Sequence, residues 1–172
     1  VEEGMYETDA RKQFWLVDSK GLVTQSRIDE LAVHKIPYAQ NGEFVSSLQQ
    51  VVRQVKPTAL IGVSQQAGSF TEEVIKEMHS HVSRPLIMAL SNPTSQSECT
   101  AEQAFRWTDG QVLFASGSPF SPVTLGGKVF MPGQGNNMYI FPGVGLGVIL
   151  CNSLQVTDSM FYAAAKTLSS LV

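Results

Sequence analysis

The chain has 172 residues, 43% of them hydrophobic, which is enough apolar material for the core of one ordinary domain. Its formal net charge is -3, and the 12 basic residues are spread along the chain instead of forming a stripe, which argues against nucleic acid or an anionic membrane surface as a partner. No apolar stretch reaches the roughly 18 residues of a membrane span, and no basic segment leads into an apolar one at the start.

In chain order, a polar lead-in gives way to the apolar run Phe14-Trp15-Leu16-Val17, closed by Asp18-Ser19-Lys20-Gly21, which predicts a buried strand ending in a polar turn. Residues 42–56 place Phe44, Val45, Leu48, Val51, Val52 and Val55 at helical spacing, with Pro57 as the stop, and residues 58–63 predict a second buried strand. Phe70-Thr71-Glu72-Glu73 opens a helix to about His79, with acidic residues where the helix dipole favours them. Arg84-Pro85 precedes a strand at 86–90; Thr100-Ala101-Glu102-Gln103 caps a short helix to Trp107; Asp109-Gly110 turns into a strand at 112–115. Past Ser116 the prolines and glycines from Pro119 to Gly135 predict one long loop, followed by an apolar segment at 139–150 and a last helix at 158–171.

Buried strands alternating with amphipathic helices imply parallel pairing and right-handed crossovers, a doubly wound α/β sheet of the Rossmann type. Ligands of such sheets sit at the carboxyl ends of the strands. Here those ends carry Asp18-Ser19-Lys20, Gly62-Val63-Ser64, Ser91-Asn92-Pro93 and Ser116-Gly117-Ser118. An acidic residue ending the second strand of a Rossmann unit commonly binds the adenosine ribose, although a polar strand-ending turn is the first reading of Asp18-Ser19-Lys20 taken alone. The glycine-rich phosphate fingerprint is missing, since Gly4 is the only glycine before Gly21. Either this is not a dinucleotide fold, or it is an incomplete Rossmann-like sheet without its first strand, glycine-rich turn and first helix; the start at Val1 fits processing of, or excision from, something longer.

Asn92 precedes a proline and Asn136-Asn137 follow Pro-Gly-Gln-Gly, settings able to aim an amide at a carboxylate; taken alone, both also read as turn chemistry. His34, His79 and His81 form no constellation with a nucleophile, and Ser118 lacks the G-x-S-x-G context of a hydrolase. Cys99 and Cys151 form no C-x-x-C pair and have no His at metal spacing, which points to reduced thiols in a cytosol-like compartment.

Longer motifs are more specific. Leu90-Ser91-Asn92-Pro93-Thr94, Glu98-Cys99-Thr100-Ala101-Glu102, Phe114-Ala115-Ser116-Gly117-Ser118-Pro119-Phe120 and Gly133-Gln134-Gly135-Asn136-Asn137 with Tyr139-Ile140-Phe141-Pro142-Gly143 follow one another in an order and spacing that closely resemble the malic enzyme family. Trp15-Leu16-Val17-Asp18-Ser19-Lys20-Gly21 and Pro57-Thr58-Ala59-Leu60-Ile61-Gly62-Val63 match as well, so the resemblance spans nearly the whole chain.

The resemblance implies a partial NAD(P)-binding domain over residues 1–172, with a helical segment at about 139–172. It implies oxidative decarboxylation of (S)-malate to pyruvate and carbon dioxide, with NADP, or alternatively NAD, as hydride acceptor and Mg²⁺ or Mn²⁺ in the complete enzyme. The family's acid, base and metal ligands have no counterpart here, so the chain alone is expected to be inactive, with no catalytic or metal-binding residue of its own. What carries over is Asn92, Asn136 and Asn137 for substrate, and Asp18, Ser19, Lys20, Lys35, Val63 and Ser64 for the cofactor. Ser19, Lys20 and Lys35 are expected at the 2′-phosphate that distinguishes NADP. Malate and the dinucleotide are the expected small-molecule partners, with a homo-oligomer for the complete enzyme and the cytoplasm, or else the mitochondrion, as compartment. Two other readings stand beside this one: a nucleotide-binding or interaction module without catalysis, and a remnant with no function of its own.

Overall fold

The computed structural model describes residues 4–171. The polar lead-in forms a short helix, α1 (Glu7–Lys12), with acidic residues in its first turn and basic ones in its last, tied by the pairs Glu7–Arg11 and Asp9–Lys12. The apolar run that follows departs from expectation. Its end forms β1 (Val17–Asp18), which pairs antiparallel with β2 (Gly21–Leu22) as a separate hairpin outside the parallel sheet. Phe14 is 55% exposed and meets Tyr38 edge-on at 6.1 Å. The hydrogen bonds explain this: Val23 N donates to Leu16 O at 2.8 Å, and Leu22 N donates to Val45 O at 2.8 Å, so β2 is flanked by local chain on both sides.

That second bond also shortens the helix expected from residue 42. Residues 44–46 lie against the hairpin at Gly21 and Leu22, and α2 (Leu48–Val55) starts only after Ser47, ending at Lys56 in the left-handed conformation (φ 50°) just before Pro57. From here the expected alternation holds: β3 (Ala59–Gly62), α3 (Glu72–His81), β4 (Leu86–Ala89), α4 (Ala101–Trp107) and β5 (Leu113–Ser116). Thr71 caps α3 by accepting from Val74 N, and Thr100 with Gln103 closes a reciprocal capping box on α4.

The strands pair in parallel with Leu60, Ile87 and Phe114 level, and Gly62, Ala89 and Ser116 level. On this face Ile87, Phe114 and Ala89 pack with Phe70, Ile75, Ala104 and Phe105 into one core. A second cluster, Val52, Val74 and Met78, seals α2 to α3. Ile75, Met78 and Ile87 are 0% exposed, and each such side chain stabilises the fold by about 1.5–3 kcal/mol through burial. β3 was expected to be buried but lies at the edge of the sheet, with Ile61 54% and Val63 71% exposed.

Residues 117–135, expected as loop, contain three short strands. β6 (Val123–Leu125) and β7 (Lys128–Phe130) form a hairpin turned at Gly126 and Gly127, both with positive φ, as the tight turn matching strand twist requires. Phe130 stacks on Phe105 at 5.0 Å and pins the hairpin to the core. β8 (Gly133–Gln134) then joins the sheet beside β5, giving the parallel order β3-β4-β5-β8. The last segment forms α5 (Phe141–Leu150) and α6 (Asp158–Ser169), and neither contains a buried residue.

Candidate functional site

Because Gly62, Ala89, Ser116 and Gln134 are level, the residues after them leave the sheet along one edge. Leu90 N donates to Gly62 O (2.9 Å), Gly117 N to Ala89 O (3.1 Å) and Gly135 N to Ser116 O (2.8 Å), which carries the ladder one step further. Beyond it stand Val63-Ser64, Ser91-Asn92 and Gly117-Ser118, three of the four expected strand ends, joined by Asn136-Asn137 after the unexpected β8, while Asp18-Ser19-Lys20 lies apart in the antiparallel hairpin.

Gly117 is the pivot of that row. A Cβ there would press into the carbonyl oxygen of Leu90 and come within 2.7 Å of Asn92 Oδ1, so the position needs glycine for close approach. Ser118 Oγ donates to Asn92 Oδ1 at 2.5 Å, and Asn136 Nδ2 donates to Gly117 O at 3.3 Å. Asn92 and Asn136 are thereby both tied to Gly117-Ser118. Asn136 also fulfils its turn reading, since its Oδ1 accepts from Met138 N at 3.0 Å and opens the 3₁₀ turn Asn137–Tyr139. Asn137 is exposed in that turn, and Asn92, which follows Ser91 and forms a cis bond with Pro93, is exposed as well. Gly117 and Ser118 stood among the expected strand ends but had no role assigned to them; the close approach of Gly117 to Leu90 and Asn92 is invisible until the strands are aligned.

The expected cofactor residues gather in two places. Val63 and Ser64 are exposed at the end of β3. Asp18 lies at the hairpin of β1 and β2, where Arg27 Nη2 reaches both carboxylate oxygens at 3.1 Å, Lys35 Nζ reaches Oδ2 at 2.9 Å and Lys20 N donates to Oδ1 at 3.0 Å. Burial would raise this carboxyl group, but Lys35, the Lys20 amide and Arg27 outweigh it and hold its pKa at about 2. Ser19 is exposed beside it, while the Lys20 ammonium is turned away to Glu30, at 2.7 Å.

Arg27 escaped the sequence reading. Its side chain is 9% exposed, its Nη1 donates to Leu22 O at 2.9 Å, and its guanidinium lies over the Phe44 ring at 5.4 Å. No pattern in Gln25-Ser26-Arg27-Ile28 marks it; the 3₁₀ turn Gln25–Glu30 carries it back to the hairpin. Three cations, Lys20, Arg27 and Lys35, therefore stand against two carboxylates, Asp18 and Glu30. This excess of positive charge around Asp18, with the Ser19 hydroxyl at hand, suits an anionic group.

Among the described residues no group of three His, Cys, Asp or Glu side chains could hold a metal ion, so these residues by themselves do not fit one. Cys99 and Cys151 are both free; burial, reinforced by the charge of Glu98, pushes the Cys99 thiol up to about 12, so it is protonated and inert as a nucleophile. No helix among the described residues is long and apolar enough to cross a membrane.

Comparison with known proteins gives one consistent family. The family model described as "Malic enzyme, NAD binding domain" matches residues 1–172. The NADP-dependent malic enzyme of Dictyostelium discoideum is 58% identical over 99% of this chain and 32% of its own length. That of Phaseolus vulgaris is 52% identical over 95% of this chain and 28% of its own length, and the chloroplastic NADP-dependent malic enzyme of Flaveria pringlei is 52% identical over 95% and 25%. The chain thus spans about a third or less of the length of these curated relatives.

Proposed function

This chain belongs to the malic enzyme family through its NAD-binding domain, and on that premise we propose that it forms the dinucleotide wall and part of the substrate wall of an enzyme converting (S)-malate to pyruvate and carbon dioxide with reduction of NADP. The observation that carries this reading is that Asn92 and Asn136 are both tied to Gly117-Ser118, in the same row as Val63 and Ser64.

The bound dinucleotide supplies the hydride acceptor for the alcohol carbon of malate. The chain's own residues orient. Asn92, with its Oδ1 engaged by Ser118, keeps the N–H groups of its amide for the carboxylate end of the substrate, and Asn136 and Asn137 complete that wall. Fixing that end restricts the approach of the reacting carbon and lowers the entropic part of the barrier. The general acid, the general base and the ligands of Mg²⁺ or Mn²⁺ belong to parts of the protein outside these residues, so the 172-residue chain alone is inactive. Residues 1–172 act as a partial NAD(P)-binding domain whose last part, from about residue 139, is helical, within a homo-oligomeric enzyme of the cytosol or, as a second option, the mitochondrion.

On the cofactor side, Asp18 holds the adenosine ribose, and Lys35, Arg27 and Ser19 receive the 2′-phosphate, which favours NADP over NAD. Both lysines are ion-paired, Lys20 to Glu30 and Lys35 to Asp18; Lys35 is the decisive cation because its partner is the acid assigned to the ribose, whereas Lys20 is held by Glu30. Titration of the whole protein with NADP, and with NAD as control, tests this: Lys35→Ala is expected to weaken NADP about ten-fold and NAD little, with a smaller effect for Lys20→Ala. Equal loss for both nucleotides would remove the 2′-phosphate assignment. Malate-dependent NADPH formation by the whole protein tests the activity; adenine nucleotide binding with no effect of malate would favour the binding module without catalysis.

A further inference from the structure

Glu98 is 0% exposed, sits just before α4, and has no part in the roles assigned above. Its carboxylate accepts from Ser91 Oγ and, at 3.4 Å through Oε2, from Ser91 N. The Ser91 hydroxyl in turn accepts from Gln65 N at 2.9 Å. Gln65, in the left-handed region at φ 56°, immediately follows Ser64, and Ser91 immediately precedes Asn92. The backbone repeats the bridge: Ser97 O accepts from Gly68 N at 3.1 Å and Glu98 O from Phe70 N at 3.0 Å. Gly62, at the end of β3, leaves the space that the carboxyl group fills, since a Cβ there would stand 2.7 Å from Oε1.

A buried carboxylate without a cationic partner is costly, and none of the ion pairs among the described residues reaches Glu98. Packing alone would be served by an apolar residue. What a carboxylate adds is polarity: as an acceptor it claims the single hydrogen of the Ser91 hydroxyl, which leaves the hydroxyl lone pairs for the Gln65 N–H. The relay Gln65 N–H to Ser91 Oγ–H to Glu98 thus has one direction.

We propose that Glu98 is a positioning residue that sets both walls of the site together, holding loop 63–65 on the dinucleotide side and Ser91-Asn92 on the substrate side through one hydroxyl. The proposal rests on the assignment of Ser64 and Asn92 to those walls. In the whole protein, Glu98→Ala raises the KM for NADP and the KM for malate together, each about ten-fold, and changes kcat far less. Glu98→Gln keeps a carbonyl acceptor for Ser91 and returns both constants to within about three-fold of the parent. The Gln65 amide exchanges about ten-fold faster in Glu98→Ala, with the amides of Ile87 and Phe114 unchanged.

A lower melting temperature with both KM values and Gln65 exchange unmoved would overturn the proposal, as would a shift in one KM alone or no rescue by Glu98→Gln. If Glu98→Ala does not fold, Ser91→Ala is read in the same way and must move the same two constants. A parent protein that forms no NADPH from malate would defeat the functional reading, while Gln65 exchange would still decide whether the relay exists.

Discussion

The parallel sheet and the Asp18 hairpin are held together by different forces. In the sheet, Ile75, Ile87, Phe105 and Phe114 exclude water on a face set by strand alternation, and charge takes no part in their packing. In the hairpin, one carboxylate collects Arg27, Lys35 and a backbone amide, with a small apolar patch of Leu22, Val45 and Val51 beneath. The first arrangement rests on apolar contact; the second gathers opposite charges in one place. Apolar packing and ion pairing are thus concentrated in separate parts of one chain.

Core truncation should give the largest effect and the least sensitivity to pH. Phe105→Ala, which empties a position between Phe114 and Phe130, is expected to cost about 3–5 kcal/mol in urea unfolding, equally at pH 7 and near pH 3. A marked pH dependence of that loss would erase the distinction between the two regions.

The hairpin should behave in the opposite way. The folded pKa of Asp18, about 2, lies below its ordinary value of 3.8, so its contribution is fully present above pH 4 and disappears as pH falls towards 2. That contribution is about 1–2 kcal/mol, and Asp18→Asn should flatten this part of the stability curve. An unchanged acid limb in Asp18→Asn would mean that the ion pairs add nothing. The smallest effect is expected at the α4 cap, where Thr100→Ala removes one half of a reciprocal pair and costs about 1 kcal/mol with no pH dependence, measurable as a small drop in the unfolding midpoint.

The same division decides what could be read from the sequence. β3, β4, β5 and their helices announce themselves through apolar spacing, caps and breakers, because burial imposes periodicity. Asp18 was legible as a strand-ending acid, but Arg27 was not, since a nine-residue separation has no meaning until the chain folds back. Lys20 was placed at the phosphate site by its neighbours in sequence, whereas its ammonium lies with Glu30. β8 escaped because Gly133-Gln134 has no apolar alternation, and its place depends on the backbone of Ala115 and Ser116. Glu98 stood within a motif that carried the resemblance, yet a charged residue is read as surface by default, and burial of one is visible only in three dimensions.

The three glycines of α5, Gly143, Gly145 and Gly147, face open space: a Cβ at any of them would find no atom within 4 Å. Each makes the helix about 1 kcal/mol less favourable than alanine would, and the helix carries Phe141, Ile149 and Leu150 at 74%, 74% and 75% exposure. Such a segment borrows its shape from its surroundings. Its order should rise with whatever covers Phe141, Ile149 and Leu150 while the sheet stays intact, which makes a spectroscopic reporter at Phe141 a gauge of contact and one at Phe114 a gauge of folding.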